Sequence, residues 1–141
     1  MIKEFDQSKI DYIMKIWLEE NIKAHDFIPK DYWKNNYEYV KKVLPDATVF
    51  VYEENNEIKG FIGIMEKSYI AGLFVSNKYQ SKGIGEKLLN VCKKEYPTLK
   101  LDVYAKNLKA VNFYIKHGFK INQEKIDDET QEVEYSMIWN L

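Results

Sequence analysis

The chain has 141 residues, of which 45% are hydrophobic and 30% charged, and its formal net charge is −1; this is the composition of one globular domain, which we place over residues 1–141. The absence of arginine and of any basic excess argues against a nucleic-acid partner, and one cysteine excludes an internal disulfide framework and favours the cytoplasm. No signal-peptide core or apolar run of about 18 residues is present, so the sequence predicts no membrane association.

The N-terminal third predicts one strand and two helices. Residues 1–5 alternate apolar and polar side chains, which is typical of a short strand. Ser8 and Asp11 have the spacing of a capping box at the start of a first amphipathic helix. A second amphipathic helix is predicted to begin after Pro29 and to end before Pro45.

Three strands are predicted next. Thr48–Glu53 and Glu57–Glu66 flank Asn55 and Asn56, a pair that favours a hairpin turn. Ser68–Val75 is a nearly continuous apolar run, and we predict that it forms a strand that leads into a glycine-bearing turn.

The C-terminal half predicts two further helices and three further strands. Their predicted bounds, in chain order, are a helix over Glu86–Tyr96, a strand over Leu99–Tyr104, a helix over Leu108–His117, and strands over Phe119–Ile126 and Val133–Trp139.

The turn between the apolar strand and the Glu86–Tyr96 helix has the sequence Gln80-Ser81-Lys82-Gly83-Ile84-Gly85. The first N–H groups of a helix lack intrahelical partners and lie at its positive end, so they bind phosphate well. Gly83 and Gly85 have no Cβ, which lets a phosphate approach the main chain. The spacing does not match a P-loop, and Leu88 breaks the dinucleotide fingerprint. An ordinary turn with two glycines is the alternative.

A second motif lies downstream. Its elements are Asn107, Ala110, Phe113-Tyr114 and Gly118-Phe119. The two motifs, in this order and spacing, resemble the cofactor-binding motifs of the GNAT superfamily of N-acetyltransferases, over residues 69–121. Ser81 departs from the family pattern, which often has a second glycine there. As a whole, the chain resembles short bacterial members that acetylate lysine side chains or N-terminal amines of proteins.

The resemblance implies an α+β fold of three layers. Its mixed, mostly antiparallel sheet of six or seven strands carries helices on both faces, in the order β-α-α-β-β-β-α-β-α-β-β. The predicted elements follow this order. In the family, the strand before the phosphate turn carries a bulge that separates it from its neighbour, and Gly72 lies where such a bulge is expected. A small residue that accommodates a neighbouring side chain is the alternative.

The resemblance also implies acetyl-CoA as co-substrate and no metal. Backbone groups of residues 73–75 would pair with the pantetheine arm as an added strand does, and the N–H of Phe74 or Val75 would polarise the thioester carbonyl. The cofactor-binding residues implied in this way are Leu73, Phe74, Val75, Gln80, Ser81, Lys82, Gly83, Ile84, Gly85, Glu86, Lys87, Asn107, Ala110, Phe113 and Tyr114.

For the chemistry, the resemblance gives Tyr114 the role of general acid toward the departing thiolate; a packed helix tyrosine is the alternative. Glu66 is the predicted catalytic base, with His25 or a water chain as the other candidates. The residues predicted to line the acceptor side are His25, Tyr32, Tyr69 and Tyr104. Two scattered histidines and one cysteine predict no metal site.

We therefore predict an enzyme that transfers the acetyl group of acetyl-CoA to a primary amine by direct attack. The predicted acceptor is a protein lysine or N-terminal amine, and a small amine, polyamine or amino acid is the alternative. A non-catalytic acyl-CoA-binding regulatory module is the rival from another class, although such a module needs neither Tyr114 nor Gly72. The protein is expected to be a monomer or a homodimer.

Overall fold

Seven strands and four helices follow one another in the predicted order. In the computed structural model, which describes residues 1–141, the strands are β1 (Ile2–Glu4), β2 (Thr48–Glu54), β3 (Glu57–Met65), β4 (Tyr69–Val75), β5 (Thr98–Tyr104), β6 (Lys120–Ile126) and β7 (Val133–Asn140). The helices are α1 (Ile10–Ala24), α2 (Lys30–Val43), α3 (Ile84–Glu95) and α4 (Leu108–Lys116). None of the helices has the length and apolarity that a membrane crossing requires.

The strands form one sheet in the order β1-β2-β3-β4-β5-β7-β6, and only the β4–β5 pair is parallel. Each face of the sheet has its own apolar core. Leu88, Leu89 and Val111 of α3 and α4 are buried in one core, and Ile13, Trp17 and Trp33 of α1 and α2 are buried in the other. The predicted three-layer fold, with a mixed and mostly antiparallel sheet, is confirmed.

The sheet opens between β4 and β5. Their register contains a single pair, Tyr69 with Lys100, whereas β3 and β4 pair along the whole of β4. A register shift occurs at Gly63–Ile64, which pair with Gly72 and Ile70, so Ala71 is an extra residue in β4. An extra residue bends the strand that carries it. The expected bulge is thus confirmed, at the residue before Gly72. The alternative also holds, because a Cβ on Gly72 would lie 2.5 Å from the Phe74 ring that this glycine accommodates.

Two predicted helix starts differ from the structure. The capping box at Ser8 is wrong: the Asp6 side chain accepts the Ser8 N–H, a 3₁₀ turn covers Gln7–Lys9, and α1 begins at Ile10 without a side-chain cap. Helix α3 begins at Ile84, two residues earlier than predicted, because Gly83 adopts φ +81° and serves as its N-cap. At α1 the Asp6 side-chain bond forms a local turn in place of the predicted cap.

Candidate active site

A cavity of about 780 Å³ lies between the C-terminal end of β4, the start of α3 and one side of α4. All of the predicted cofactor-binding residues line this cavity except Lys82 and Lys87. Both of these lysines are exposed, and the Lys87 ammonium lies 5.7 Å from the centre of the Tyr52 ring. The cavity has the volume range of small-molecule and cofactor sites in proteins, roughly 300–1,000 Å³.

The edge of β4 that faces the cavity presents main-chain groups. Ser76 N–H donates to Lys59 O, so the register makes Phe61 and Phe74 a hydrogen-bonded pair. Alternation along an antiparallel strand then turns the N–H groups of Leu73 and Val75 away from β3, toward the side from which β5 has separated. Two N–H groups were expected to donate to a thioester carbonyl. The Val75 N–H points away from β3 and is available for this bond, whereas the Phe74 N–H is hydrogen-bonded to β3.

The turn before α3 forms a cradle of N–H groups, which we call the phosphate cradle and define as residues 80–86. Lys87 N–H makes the first intrahelical bond, to Gly83 O. The N–H groups of Ile84, Gly85 and Glu86 therefore have no partner within the helix, and all three residues line the cavity. A Cβ built on Gly83 meets no atom within 4 Å, so the turn leaves open space at this point.

Ser81 adopts φ +66°, in the left-handed region. A residue with a Cβ is held there at a cost in strain of about 1–3 kcal/mol, which the glycine of the family pattern would avoid. The serine still supplies a backbone N–H to the cradle and lines the cavity.

Tyr114 lies on the buried face of α4 and lines the cavity. Only 8% of the residue is exposed, and this burial raises the pKa of its phenol. Among side-chain polar atoms that are fully enclosed, Trp33 Nε1 is the one without a partner. The Tyr114 hydroxyl, which has no hydrogen-bond partner in the chain, is therefore open to the cavity and stays protonated at neutral pH.

Asn107 caps α4 and also contacts His25. Its Oδ1 accepts the Ala110 N–H at 3.3 Å, which confirms the expected N-cap and leaves Nδ2 facing His25 Nε2 at 3.2 Å. His25 Nδ1 lies 2.9 Å from the Asn21 carbonyl oxygen, an acceptor, so Nδ1 carries the proton and Nε2 accepts. The ring is 7% exposed, and burial lowers its pKa. His25 is therefore neutral, and both of its nitrogens have partners.

The other predicted acceptor-side residues do not line the cavity. Tyr104 packs edge-on against His25, with 5.2 Å between ring centroids, and donates to Asp127 at 2.7 Å. Tyr69 donates to Asp102 at 3.0 Å. Burial, followed by the charges of nearby Glu129 and Asp127, raises the pKa of Tyr32 to about 12. Each of these tyrosines thus lies near a carboxylate, and Tyr104 is the one that packs against His25.

Glu66, the predicted base, lies in the turn between β3 and β4. The residue is exposed, adopts φ +54° and does not line the cavity. The structure therefore does not bring Glu66 together with Tyr114.

Sequence reasoning missed Glu20 and Lys109, which both line the cavity. Glu20 is 8% exposed and accepts hydrogen bonds from Asn77 N and Gln80 Nε2. Its signal was present in the sequence, because Glu20 follows Ile13 and Trp17 at helical spacing, and a carboxylate on an apolar face needs a buried partner. Lys109 gave no such signal, since exposed helix lysines are common.

Comparison with known proteins agrees with this geometry. The acetyltransferase (GNAT) domain family matches residues 18–138. The chain is 37% identical to the peptidyl-lysine N-acetyltransferase YiaC of Escherichia coli, over 99% of this chain and 96% of that protein. It is 30% identical to the peptidyl-lysine N-acetyltransferase YjaB of Salmonella typhimurium, over 82% of this chain and 81% of that protein. The chain belongs to the GNAT acetyltransferase family.

Solved structures share the fold. The solution structure of apo YjaB from Escherichia coli superposes with a TM-score of 0.86 at 24% identity, over 99% of this chain and 96% of that one. The crystal structure of the PaiA N-acetyltransferase of Thermoplasma acidophilum in complex with coenzyme A superposes with a TM-score of 0.80 at 17% identity, over 100% of this chain and 98% of that one. At these identities the likeness concerns the fold alone.

Proposed function

We propose that this N-acetyltransferase uses acetyl-CoA to acetylate lysine side chains or N-terminal amines of proteins by direct attack of the amine. The observation that carries the proposal is the unpartnered Tyr114 hydroxyl, which opens into the same cavity as the phosphate cradle. A protonated phenol and a row of N–H donors in one cavity suit a ligand with a pyrophosphate at one end and a thioester at the other.

Different residues of this chain bind different parts of acetyl-CoA in the proposed complex. The N–H groups of Ile84, Gly85 and Glu86 hold the pyrophosphate at the positive end of α3. The Leu73 N–H, which points away from β3, binds the pantetheine arm as a further strand would, and the Val75 N–H is left for the acetyl oxygen. Asn107, fixed by Ala110 and His25, directs its amide toward the arm.

In the proposed reaction, the amine nitrogen forms a bond to the acetyl carbon and the carbon–sulfur bond breaks. Val75 N–H polarises the acetyl oxygen as negative charge develops on it. The Tyr114 hydroxyl donates to the departing sulfur, whose thiol has an ordinary pKa of about 8.5, and any proton that it transfers is returned to the phenolate by the water that takes up the proton of the amine. No acyl-enzyme is formed, and Cys92 is buried on α3 with a raised pKa of about 12.

The incoming amine must also lose a proton. Glu66 lies away from the cavity, and both nitrogens of His25 are engaged. Of the three candidates that the sequence offered, a water chain is the one compatible with both observations. We therefore assign proton removal to water in the cavity.

Two observations support a cationic amine as the acceptor, and the first of them favours a protein amine. The relatives YiaC and YjaB are named peptidyl-lysine N-acetyltransferases. Tyr69 and Tyr104 donate to the carboxylates of Asp102 and Asp127, and burial, followed by the charges of these two aspartates, raises the pKa of Glu134. These carboxylates, of which Asp102 is paired with Lys125, favour a cationic acceptor, a property that a lysine ammonium shares with a polyamine.

The test is a release assay for free thiol with acetyl-CoA as donor. The acceptor panel contains lysine peptides, peptides with free N-termini, polyamines and amino acids. We expect turnover with the peptides at least tenfold above that with the small amines. Preference for a polyamine or an amino acid would refute the proposed acceptor, and tight acetyl-CoA binding without turnover on any amine would identify a non-catalytic module.

A further inference from the structure

A chain of hydrogen bonds crosses the mouth of the cavity and joins three elements. The Lys109 ammonium on α4 donates to Gln80 Oε1 at 2.8 Å. Gln80 Nε2 donates to Glu20 Oε1 on α1 at 3.0 Å and to the Val75 carbonyl at 2.9 Å. The second oxygen of Glu20 accepts the Asn77 N–H at 3.1 Å.

The directions of these bonds define the roles of the groups. The amide of Gln80 turns its oxygen to the cation of Lys109 and its nitrogen to the anion of Glu20, so the charges fix which way the amide points. Glu20 accepts two hydrogen bonds and donates none. Its carboxylate thereby holds both ends of residues 77–80, the segment that leads from β4 into the phosphate cradle.

Burial makes this contact selective for a carboxylate. Glu20 is 8% exposed, and both of its oxygens accept hydrogen bonds from neutral donors. A glutamine in its place has one acceptor and one donor, so its NH₂ would face either the Asn77 N–H or the Gln80 amide nitrogen. Two donors that face each other in a buried place leave one of them unsatisfied.

We propose that Glu20 is a positioning residue of the cofactor site: through Gln80 and the Asn77 N–H it fixes residues 77–80, so that the phosphate cradle has its binding shape before the ligand arrives. The expected effect of Glu20 on acetyl-CoA affinity rests on the proposed function. The expected effect of Glu20 on the conformation of residues 77–80 without ligand is independent of that function. Glu20 also makes α1, which ends next to His25, part of the support of the cradle.

The experiment compares Glu20→Gln with Glu19→Gln, since Glu19 is the exposed neighbour on the same helix. Calorimetry measures the Kd for acetyl-CoA, steady-state kinetics measures kcat at saturating acetyl-CoA, and hydrogen exchange follows residues 77–85 without ligand. For Glu20→Gln we expect a Kd about tenfold higher, which corresponds to about 1.4 kcal/mol, with kcat within about twofold of wild type. Exchange in 77–85 becomes about tenfold faster, and exchange in β6 and β7 is unchanged. Glu19→Gln behaves as wild type.

A double-mutant cycle with Gln80→Met tests whether Glu20 acts through Gln80. The second substitution keeps the length of the side chain and removes the amide, so Glu20→Gln should add less than about twofold to Kd in its presence. Full additivity would overturn the proposal, as would unchanged exchange in 77–85 or an equal effect of Glu19→Gln. If Glu20→Gln does not fold, Gln80→Met alone must show the faster exchange, and normal exchange overturns the proposal. Failure of wild type to bind acetyl-CoA would refute the proposed function and leave the exchange result to decide the role of Glu20.

Discussion

Tyr114 combines two properties that are rarely found together in a side chain that only packs. Its ring is buried between α4 and the sheet, in contact distance of Phe113 and Phe119, yet its hydroxyl has no partner in the chain. A buried phenol is expected to donate a hydrogen bond. The missing acceptor would be an atom of a ligand in the cavity, and in the proposed reaction this atom is the departing sulfur.

Tyr114→Phe removes this hydroxyl and keeps the ring. We expect kcat to fall by roughly 10²–10⁴-fold, the range of general acid–base catalysis, while the Kd for acetyl-CoA stays within about twofold of wild type. Steady-state kinetics and calorimetry measure the two values. An acyl donor whose thiol has a lower pKa should reduce the deficit, because its thiolate needs less protonation. Equal turnover, with the chemical step rate-limiting, would show that water is the acid.

His25 contributes to stability in a pH-dependent way. Burial holds the pKa of the folded state below the unfolded value of about 6.5. The unfolded chain therefore binds more protons at mildly acidic pH, and stability must fall as the pH drops from about 6.5 toward the lower pKa of the folded protein. Denaturant unfolding at several pH values should show a shallower pH dependence for His25→Gln than for wild type. His117→Gln is the comparison, since the pKa of His117 is lowered in the same direction at a less buried place, and this variant should flatten the pH dependence less than His25→Gln does. Parallel curves for wild type and His25→Gln would contradict the assignment.

At the scale of elements, the phosphate cradle depends on the backbone conformation at Gly83. Valine at φ +81° is strained, so Gly83→Val should lose about 1–3 kcal/mol of unfolding free energy. The Kd for acetyl-CoA should rise at least tenfold, since the branched side chain occupies the open space of the cradle. Gly63→Ala is the matched control, because its Cβ would lie no closer than 3.9 Å to any neighbour at an ordinary φ. Binding by Gly83→Val at the affinity of wild type would place the phosphate site elsewhere.

The elements that the sequence predicted well are those with local causes. Asn55 and Asn56 both adopt positive φ, as the hairpin between β2 and β3 requires. Asn107 caps α4, and Gly118, with φ +93°, follows the end of that helix. Each of these outcomes depends on residues within four positions of one another, so the sequence contains the whole cause.

The parts that the sequence could not predict depend on long-range contacts. Glu20 and Gln80 are 60 positions apart, and His25 and Asn107 are 82 apart. Which side chains face one another over such separations is decided by the packing of α1 against the opened sheet. Glu66 illustrates the reverse case, since a carboxylate near the central strands was expected in the site and lies in an exposed turn instead.

At the scale of the molecule, the two cores allow the sheet to open without loss of the fold. Helices α3 and α4 cover one face and α1 and α2 the other, so the gap between β4 and β5 is bridged by both layers. Beyond the Tyr69–Lys100 pair, β4 has no strand partner on that side. A ligand that supplies this partner adds contacts to the folded state only.

Acetyl-CoA should therefore stabilise the whole molecule. A ligand that binds only the folded state contributes about 2.7 kcal/mol at a concentration of about 100 times its Kd, which raises the Tm of a domain of this size by several degrees. Differential scanning calorimetry with and without acetyl-CoA measures the shift. ATP at the same concentration is the control and should produce less than half of it, because the cradle lacks the P-loop spacing. A Tm that does not change at millimolar acetyl-CoA would remove the cofactor assignment, and an equal shift with ATP would show that the cavity selects for phosphate groups rather than for the pantetheine arm along β4.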